Sequence, residues 1–194
     1  GFVRKQGNFM NLHKIVNSDA RYSAGTFQNE YINDENYLQE QNLFIIDVDD
    51  GLTIEDAKNL FSGLTYLIAT TKSHQIPKGR EEITCDRFRI ILPTISKFHL
   101  EPDTYRQMYM NVLMALGIEE ADVKCKNPSR WYYGNPNGEH WYNEGTLLDI
   151  RPFIPDTSQN ESAEEAINRY EGSEHSGTDQ RTDGAIRWFL SSTS

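Results

Sequence analysis

The hydrophobic pattern of the chain is clearest over residues 43–133, where short strand-like runs alternate with helical ones. Four consecutive apolar residues, 43–46, predict a strand that is buried on both faces. The apolar residues of 54–61 recur on one helical face, and Thr53 with Asp56 three residues later is typical of a helix start. This part of the chain therefore predicts a strand followed by a helix.

Two further strands and a second helix follow. A second apolar strand is predicted at 65–71 and a third at 87–92, which Pro93 should end because proline cannot continue the hydrogen-bonded ladder. Pro102 in a first turn and Gly117 as a C-terminal cap flank a helical apolar stripe. Weaker strand-like segments recur at 130–133, 141–142 and 147–154.

The order of these elements predicts an α+β fold. Strand, helix, strand, strand, helix and strand in succession form the split βαβ pattern. Residues 1–42 show only weak apolar periodicity, so we expect an irregular N-terminal lobe with a short helix near 10–16 or 30–40. Residues 156–183 are rich in small and acidic residues, which predicts a flexible linker. The apolar run within 184–194 then predicts the start of a further helix.

The large negative net charge of the chain does not by itself exclude a nucleic-acid partner. A net charge of −10 would argue against a nucleic-acid partner. However, residues 156–183 hold eight acidic residues and two arginines, so most of the negative charge belongs to the predicted linker. Lysine and arginine concentrate instead in 72–89 and 124–130, which leaves a nucleic-acid partner open for the rest of the chain.

The cysteine count and the hydropathy favour a protein of a reducing cytoplasm. The two cysteines, Cys85 and Cys125, do not form a CxxC pair, so a disulfide framework is not expected, and no ligand spacing supports a zinc site. No apolar run approaches 18 residues, and no charged and apolar leader is visible. We therefore expect neither membrane insertion nor secretion.

The end of the first predicted strand carries a pair of carboxylates. Side chains alternate along a strand, so Asp47 and Asp49 should share one face while Val48 enters the core. Two neighbouring carboxylates repel each other unless a cation lies between them, and a divalent metal with oxygen ligands is the usual cation. Neither aspartate is expected to be needed for packing. The alternative is a polar strand end that runs into a turn at Asp50 and Gly51.

A second group of polar residues follows the second predicted strand. If the first two strands are parallel, both end at one edge of the sheet, and His74 should lie near Asp47 and Asp49. The ammonium, hydroxyl and imidazole groups of Lys72, Ser73 and His74 suit an anionic, phosphate-bearing ligand. The alternative is a polar surface loop without a ligand.

The third predicted strand adds two cations. Alternation should place Arg87 and Arg89 on one face, and a face with two arginines beside two aspartates can hold a metal–triphosphate. The alternative is a solvent-facing strand in which the arginines pair with the aspartates themselves.

The segment after the second predicted helix combines a carboxylate with cations and aromatic rings. Asp122 is a possible third metal ligand. The cations and rings that could bind single-stranded nucleic acid are Lys124, Lys126, Arg130, Trp131 and Tyr133. The alternative for Trp131 and Tyr133 is a place in the core of a strand.

Taken in order, these segments resemble the three motifs of the archaeo-eukaryotic primases. Asp47 and Asp49 resemble the Asp-x-Asp motif, Ser73 and His74 the end of a small-x-His motif, and Asp122 a hydrophobic–Asp motif. The closer resemblance is to primase and primase-polymerase domains of phage and plasmid replication proteins.

That closer resemblance rests on two further segments. An Arg-Phe-Arg strand, as at 87–89, often follows the second motif, and an Asn-Pro-Ser-Arg and aromatic segment, as at 127–133, commonly follows the third. The resemblance covers about residues 40–155. It implies a catalytic domain over 1–155, with an N-terminal α/β lobe at about 1–42 and an RRM-like core at about 43–155.

The resemblance also implies a set of catalytic residues. Asp47, Asp49 and Asp122 would hold two Mg²⁺ or Mn²⁺ ions, with Asp149 competing for the third position. We favour Asp122 because the Asn-Pro-Ser-Arg segment follows it at a familiar distance. His74 would take part in catalysis, and the residues expected to bind the nucleotide are Lys72, Ser73, His74, Arg87, Arg89 and Arg130.

The function implied is template-directed nucleotidyl transfer in phage or plasmid DNA replication in the cytoplasm of the host. Its partners would be a single-stranded DNA template, NTPs or dNTPs, and in a longer chain a C-terminal primase module and a helicase. Two alternatives stay open. One is a non-catalytic RRM-like module that binds single-stranded nucleic acid, and the other is a metal-dependent nuclease.

Overall fold

The computed structural model describes residues 2–77, 84–118, 123–156 and 186–191. They form a mixed α/β fold with two antiparallel four-stranded sheets and few helices. The strands are β1 (Phe2–Gly7), β2 (Arg21–Ser23), β3 (Glu40–Val48), β4 (Tyr66–Thr70), β5 (Phe88–His99), β6 (Tyr132–Tyr133), β7 (His140–Asn143) and β8 (Ile186–Ser191). The helices are α1 (His13–Val16), α2 (Ile54–Leu60) and α3 (Pro102–Leu116), and 3-10 turns span Phe9–Leu12, Gln28–Glu30, Val123–Lys126 and Arg151–Phe153.

The central sheet has the order β3-β5-β4-β7. Both β3 and β4 pair antiparallel with β5, so they run parallel to each other and are joined through α2. This is the predicted strand–helix–strand unit with the third strand inserted between the first two. The last strand, β7, pairs with β4 at the edge remote from β3. The mixed α and β class is confirmed, while the RRM-like description stays a prediction.

The two faces of the central sheet are covered by different parts of the chain. On one face, Phe44 of β3 stacks on Tyr109 of α3, with ring centroids 4.9 Å apart. On the same face Lys58 of α2 lies 4.6 Å from the centre of the Trp141 ring. On the other face Phe9 of the N-terminal segment contacts Tyr142. The helices therefore cover one face and the N-terminal lobe the other.

Both predicted helix boundaries are confirmed by their capping groups. The Thr53 hydroxyl accepts a hydrogen bond from the Asp56 backbone nitrogen at 3.1 Å, which satisfies a free amide of the first turn of α2. Gly117 ends α3 in the left-handed conformation with φ of 66°, where a side chain would be strained.

The structure differs from the prediction at Pro93, which lies inside β5. Pairing advances from Leu43 opposite Pro93 to Gln41 opposite Phe98, so β5 bulges directly after the proline. A bulge is a position where a strand tolerates the missing amide hydrogen of proline. The segment 147–154, expected to be a strand, contributes a single bridge between Leu148 and Thr94 and then a 3-10 turn.

The N-terminal sheet has the order β1-β8-β2-β6 and corrects the prediction for the end of the chain. Residues 186–191 form strand β8, not the start of a helix. A short apolar run of this length fits either element by periodicity alone, so the sequence could not decide between them. Beyond Asp156, the predicted linker over 156–183 lies outside the described residues. The expected short helix near 10–16 is confirmed as α1.

Removing residues 157–194 is expected to unfold β1 locally. Strand β8 lies between β1 and β2, and over the described residues β1 pairs with β8 alone. Exchange of the β1 amides that point toward β8, which are alternate residues of Phe2–Gly7, should accelerate by about tenfold or more, because they lose their partner strand. The matched control removes 192–194 and keeps β8. Unchanged protection of β1 after the longer truncation would contradict the observed pairing.

Among the described residues, the longest helix is far too short and too polar to cross a membrane.

Candidate active site

The ends of β3 and β4 meet at one residue of β5. Val48, the last residue of β3, and Thr70, the last residue of β4, both pair with Phe88. Asp49 and Thr71 therefore leave the sheet at the same edge, on either side of β5. The expectation that the strands carrying the carboxylate pair and the His74 loop end at one edge of the sheet is confirmed at the level of the backbone, with β5 between them.

The segment 85–87 connects these two strand ends. The Cys85 thiol donates a hydrogen bond to the Asp49 carbonyl at 3.3 Å. On the other side, the Arg87 backbone nitrogen donates to Nδ1 of His74 at 3.2 Å. Oδ1 of Asp86 lies 3.9 Å from this Nδ1 atom of His74. Asp49 and His74 are thus held by the same short stretch of chain, which explains how residues of two different loops share one edge.

Asp47 is buried in an ion pair with Arg89. The Arg89 Nε donates to Oδ1 of Asp47 at 2.9 Å, and Asp47 is only 6% exposed. The Arg89 Nη1 donates to the Tyr133 carbonyl at 2.6 Å and to the Tyr22 hydroxyl at 3.2 Å. The guanidinium carbon also lies 4.9 Å from the centre of the Tyr132 ring. Arg89 therefore joins the central sheet to the N-terminal sheet.

This pairing is the alternative that the sequence left open for the arginine strand, although it is buried and not solvent-facing. It also corrects the expectation that Asp47 is not needed for packing, because the carboxylate neutralises a buried guanidinium. The role of Arg89 toward a nucleotide stays a prediction.

Tyr22 completes the surroundings of Arg89 as a neutral partner. Burial raises the pKa of the Tyr22 hydroxyl, and the neighbouring Arg89 offsets only part of that rise. The hydroxyl therefore keeps its proton at neutral pH and accepts the hydrogen bond from Arg89 as an uncharged group. No sequence motif marked Tyr22, because its role depends on a contact with a residue 67 positions away.

Asp49 and Asp50 separate into two roles at the end of β3. Asp50 accepts a hydrogen bond from the Gly51 nitrogen at 2.8 Å, and Gly51 has φ of 79°, as expected of a turn. The Asp49 side chain is exposed, and within the described part of the chain its carboxylate has no hydrogen-bond or ion-pair partner. Asp49 is therefore the accessible carboxylate of the predicted pair.

The third predicted metal ligand, Asp122, lies outside the described residues. Within the described ranges, no three His, Cys, Asp or Glu side chains cluster as a metal site would require. The alternative ligand, Asp149, is held in a two-point ion pair by Arg151 at 2.8 and 2.7 Å, which lowers its pKa. Asp149 adjoins Leu148, which bridges to Thr94, five residues along β5 from Arg89. At ~3.3 Å per strand residue, these five residues place Asp149 roughly 16 Å from the ion pair of Asp47 with Arg89.

Arg87 holds the loop that carries His74. Its Nη1 donates to the Ser73 carbonyl at 2.8 Å and to the Ile76 carbonyl at 2.7 Å, and the residue is buried. With Nδ1 of His74 accepting from the Arg87 backbone, the neutral imidazole carries its proton on Nε2. The sequence suggested a direct contact between Arg87 and phosphate. The structure shows a guanidinium that orders the loop, and its predicted contact with a nucleotide is untested.

Replacing Arg87 with methionine is expected to loosen this loop. Two carbonyls lose a charged donor, so the free energy of unfolding should fall by about 1–3 kcal/mol. Amide exchange over residues 73–76 should accelerate more than exchange in β4. Urea unfolding and amide exchange check these expectations, with Arg151→Met as the control because Arg151 is exposed and its ion pair is with Asp149, two positions away. Unchanged amide exchange over 73–76 would contradict the conclusion that Arg87 orders this loop.

Lys72 and His74 line a cleft of about 630 Å³ between the end of β4 and the loop 135–139. Asp19 of the N-terminal lobe also lines it, and its Oδ1 lies 3.3 Å from Nζ of Lys72. Both side chains of this pair are largely exposed, so the pair is weak and an anionic ligand could replace Asp19. The cleft has the size of a small-molecule site.

The predicted nucleic-acid residues divide between the core and the surface. Tyr132 is buried, whereas Tyr133 is 54% exposed, as strand alternation requires. Trp131 is partly buried against an aromatic cluster, and its ring lies 4.8 Å from that of Tyr133. The guanidinium carbon of Arg21 lies 5.4 Å from the Trp131 ring centre, a cation that sequence reasoning missed. The core alternative therefore fits the partly buried Trp131 and not the exposed Tyr133, and a role of either ring toward nucleic acid stays a prediction.

The basic residues of this segment lie nearby. Arg130 is half-buried, with its guanidinium carbon 6.0 Å from the centre of the Tyr132 ring. Lys124 and Lys126 belong to the 3-10 turn Val123–Lys126, and the Lys126 side chain is exposed.

The Asn-Pro-Ser-Arg segment fixes these residues to the rest of the fold. Oδ1 of Asn127 accepts hydrogen bonds from the backbone nitrogen and the hydroxyl of Ser129, and that hydroxyl also contacts Asp34. Nε2 of Gln41 donates to the Pro128 carbonyl at 3.2 Å, and the Ser23 hydroxyl donates to the Arg130 carbonyl at 2.7 Å. The segment therefore ties β2 to β3 and sets the position of the aromatic residues that follow it.

Comparison with known proteins gives one structural similarity. No protein-family model and no curated protein sequence matches the chain. The structure is similar to the AEP domain of the primase-polymerase of cyanophage S-2L, with a TM-score of 0.44 and 14% sequence identity. The similarity covers 69% of this chain and 68% of that one. Because similarity at this level does not establish a family, the functional argument rests on the site itself.

Proposed function

We propose that this chain is the catalytic domain of a DNA-template-directed primase-polymerase that transfers nucleotides from NTPs or dNTPs during phage or plasmid replication. The observation that carries the proposal is the convergence of Asp49 and His74 on the segment 85–87. It places an accessible carboxylate and a histidine of the Lys72 cleft at one edge of the sheet. Metal-assisted phosphoryl transfer requires a carboxylate beside cationic groups.

Asp47, Asp49 and Asp122 are the proposed ligands for two Mg²⁺ or Mn²⁺ ions. Their donor atoms are carboxylate oxygens, which these hard cations prefer. The turn that begins one residue after Asp122 contacts β3, the strand that carries Asp47. Bound ions would neutralise charge on the triphosphate and lower the pKa of the attacking 3′-hydroxyl.

Lys72, Ser73 and His74 are proposed to bind the phosphates of the incoming nucleotide, together with Arg130. The ammonium group of Lys72 and the Nε2 proton of His74 can stabilise negative charge that shifts along the triphosphate in the transition state. In this proposal Arg87 and Arg89 are positioning residues, because they hold the His74 loop and Asp47.

A template strand is proposed to stack on Tyr133 and Trp131, with Arg21, Lys124 and Lys126 supplying positive charge. Exposed aromatic rings beside cations bind single strands without requiring a base sequence. The same observation favours a second candidate function, a module that binds single-stranded nucleic acid without catalysis.

One assay separates the candidates. The protein is incubated with a single-stranded DNA template, labelled nucleotides and Mn²⁺. Products that incorporate label support the primase-polymerase, and a shortened template indicates a nuclease. A gel shift without either product indicates the binding module, and would refute the proposed catalysis.

A further inference from the structure

The two walls of the Lys72 cleft differ in charge. One wall, at the end of β4, carries Lys72 and His74, with Asp19 of the N-terminal lobe in its exposed ion pair to Lys72, where an anionic ligand could replace it. The wall formed by residues 135–139 carries Asn137 and Glu139. A triphosphate is attracted to the first wall and repelled by the carboxylate of the second. An amide and a carboxylate suit the uncharged, hydroxyl-bearing part of a ligand, because both accept hydrogen bonds from hydroxyl groups.

The second wall is fixed by its own backbone. The Asn135 backbone nitrogen donates to the Val16 carbonyl at 2.8 Å, and its Nδ2 donates to the Thr70 carbonyl at 3.2 Å. The Glu139 backbone nitrogen donates to the Thr70 hydroxyl at 2.9 Å. A Cβ added to Gly138 would lie 2.9 Å from Nδ2 of Asn135 and 3.0 Å from the Thr70 carbonyl oxygen, so a side chain there would force these groups to shift. The wall is therefore ordered before any ligand binds.

The side chains on this wall are available to a ligand. Over the described residues, neither the Asn137 amide nor the Glu139 carboxylate has a hydrogen-bond or ion-pair partner, although the backbone around them is bonded. A rigid loop with two unpaired polar side chains in a cleft is the arrangement of a specificity-determining wall.

We propose that Asn137 and Glu139 form the sugar subsite for a nucleotide whose phosphates lie against the opposite wall. The Glu139 carboxylate accepts a hydrogen bond from the ribose 2′-hydroxyl, so the cleft prefers ribonucleotides to deoxyribonucleotides. The Glu139 side chain is exposed, so water can solvate it when the 2′-hydroxyl is absent, and the discrimination amounts to the one hydrogen bond that a deoxynucleotide cannot make. This inference rests on the proposed function, since it assumes that the cleft binds the nucleotide.

The test compares the binding of ATP and 2′-deoxyATP by calorimetry in the presence of Mg²⁺. Wild-type protein should bind ATP about tenfold more tightly, as expected for one hydrogen bond to a charged acceptor. In Glu139→Ala the ratio of the two dissociation constants should fall toward one, chiefly through weaker binding of ATP. Glu144→Ala is the matched control, because Glu144 is exposed beyond the end of β7 and does not line the cleft.

Circular dichroism and the urea midpoint verify that both variants fold. Equal affinities of the wild-type protein for the two nucleotides, no binding of either, or a ratio unchanged by Glu139→Ala would each overturn the subsite. The primer-synthesis assay tests the proposed function independently. A ribose preference that depends on Glu139 without primer synthesis would refute the proposed function and keep the subsite. Primer synthesis together with a ratio of dissociation constants that Glu139→Ala leaves unchanged would refute the subsite and keep the proposed function.

Discussion

Replacement of Asp47 by alanine is expected to lower the free energy of unfolding by about 3–5 kcal/mol, the cost of leaving a buried charge without its partner. Arg89 would keep its contacts with Tyr22 and the Tyr133 carbonyl, but none of these neutral groups balances its charge. The pair also joins the two sheets, so the loss should affect both. Urea unfolding followed by tryptophan fluorescence measures the change.

Two comparisons make this prediction specific. Asp50→Ala removes an exposed carboxylate three residues away, which within the described ranges bonds only to Gly51, so its effect should stay below about 1 kcal/mol. The double variant Asp47→Leu with Arg89→Met removes both charges and should recover much of the lost stability, because an apolar pair can replace a buried ion pair. Wild-type stability of Asp47→Ala would show that Arg89 is solvated instead of buried.

Replacement of Asp49 by asparagine is expected to reduce primer synthesis by about a thousandfold without changing stability. The variant keeps the shape of the side chain and removes the charge that is proposed to hold the metal ions. Losing a group that stabilises transition-state charge costs on the order of 10²–10³ in rate. Because the Asp49 side chain is exposed, the urea midpoint should be unchanged. Initial rates of primer synthesis at saturating nucleotide measure the effect.

The neighbouring Asp50 again provides the control. Asp50→Asn makes the same chemical change one residue further along the turn and should retain the wild-type rate. If Asp49→Asn retains metal-dependent synthesis, the proposed metal site is wrong, whatever the stability of Asp47→Ala. The stability of the Asp47 variants thus tests the buried ion pair, and the activity of the Asp49 variant tests the proposed metal site.

The sequence predicted the shared edge of Asp49 and His74 because the strands and the helix that position them have clear local periodicity. Alternating and helical apolar patterns placed β3, α2 and β4 in order, and a strand–helix–strand unit brings two strand ends to one edge. Asp49 and His74 follow those ends directly, so their shared edge could be predicted from short stretches of chain. Asp50 was predicted as a turn residue from Gly51 for the same reason.

The part that the sequence did not predict depends on contacts between distant segments. Arg89 reaches Tyr22 and the Tyr133 carbonyl across 67 and 44 positions, and no pattern near Arg89 indicates either partner. Asn135 meets the end of β4 across 65 positions. Such contacts follow from how the N-terminal lobe packs on the sheet, which depends on shape complementarity and not on periodicity.

The position of β8 has a consequence for the order in which the protein folds. A nascent chain that has reached Asn143 already contains all four strands of the central sheet. Strand β8 begins at Ile186, 43 positions later, and it pairs with both β1 and β2. The central sheet can therefore form during synthesis on the ribosome, whereas β1 waits for a partner until residue 191 has been added. Until then the edge of β1 that will pair with β8 is open, and a chaperone that shields this edge would improve the yield of folded protein.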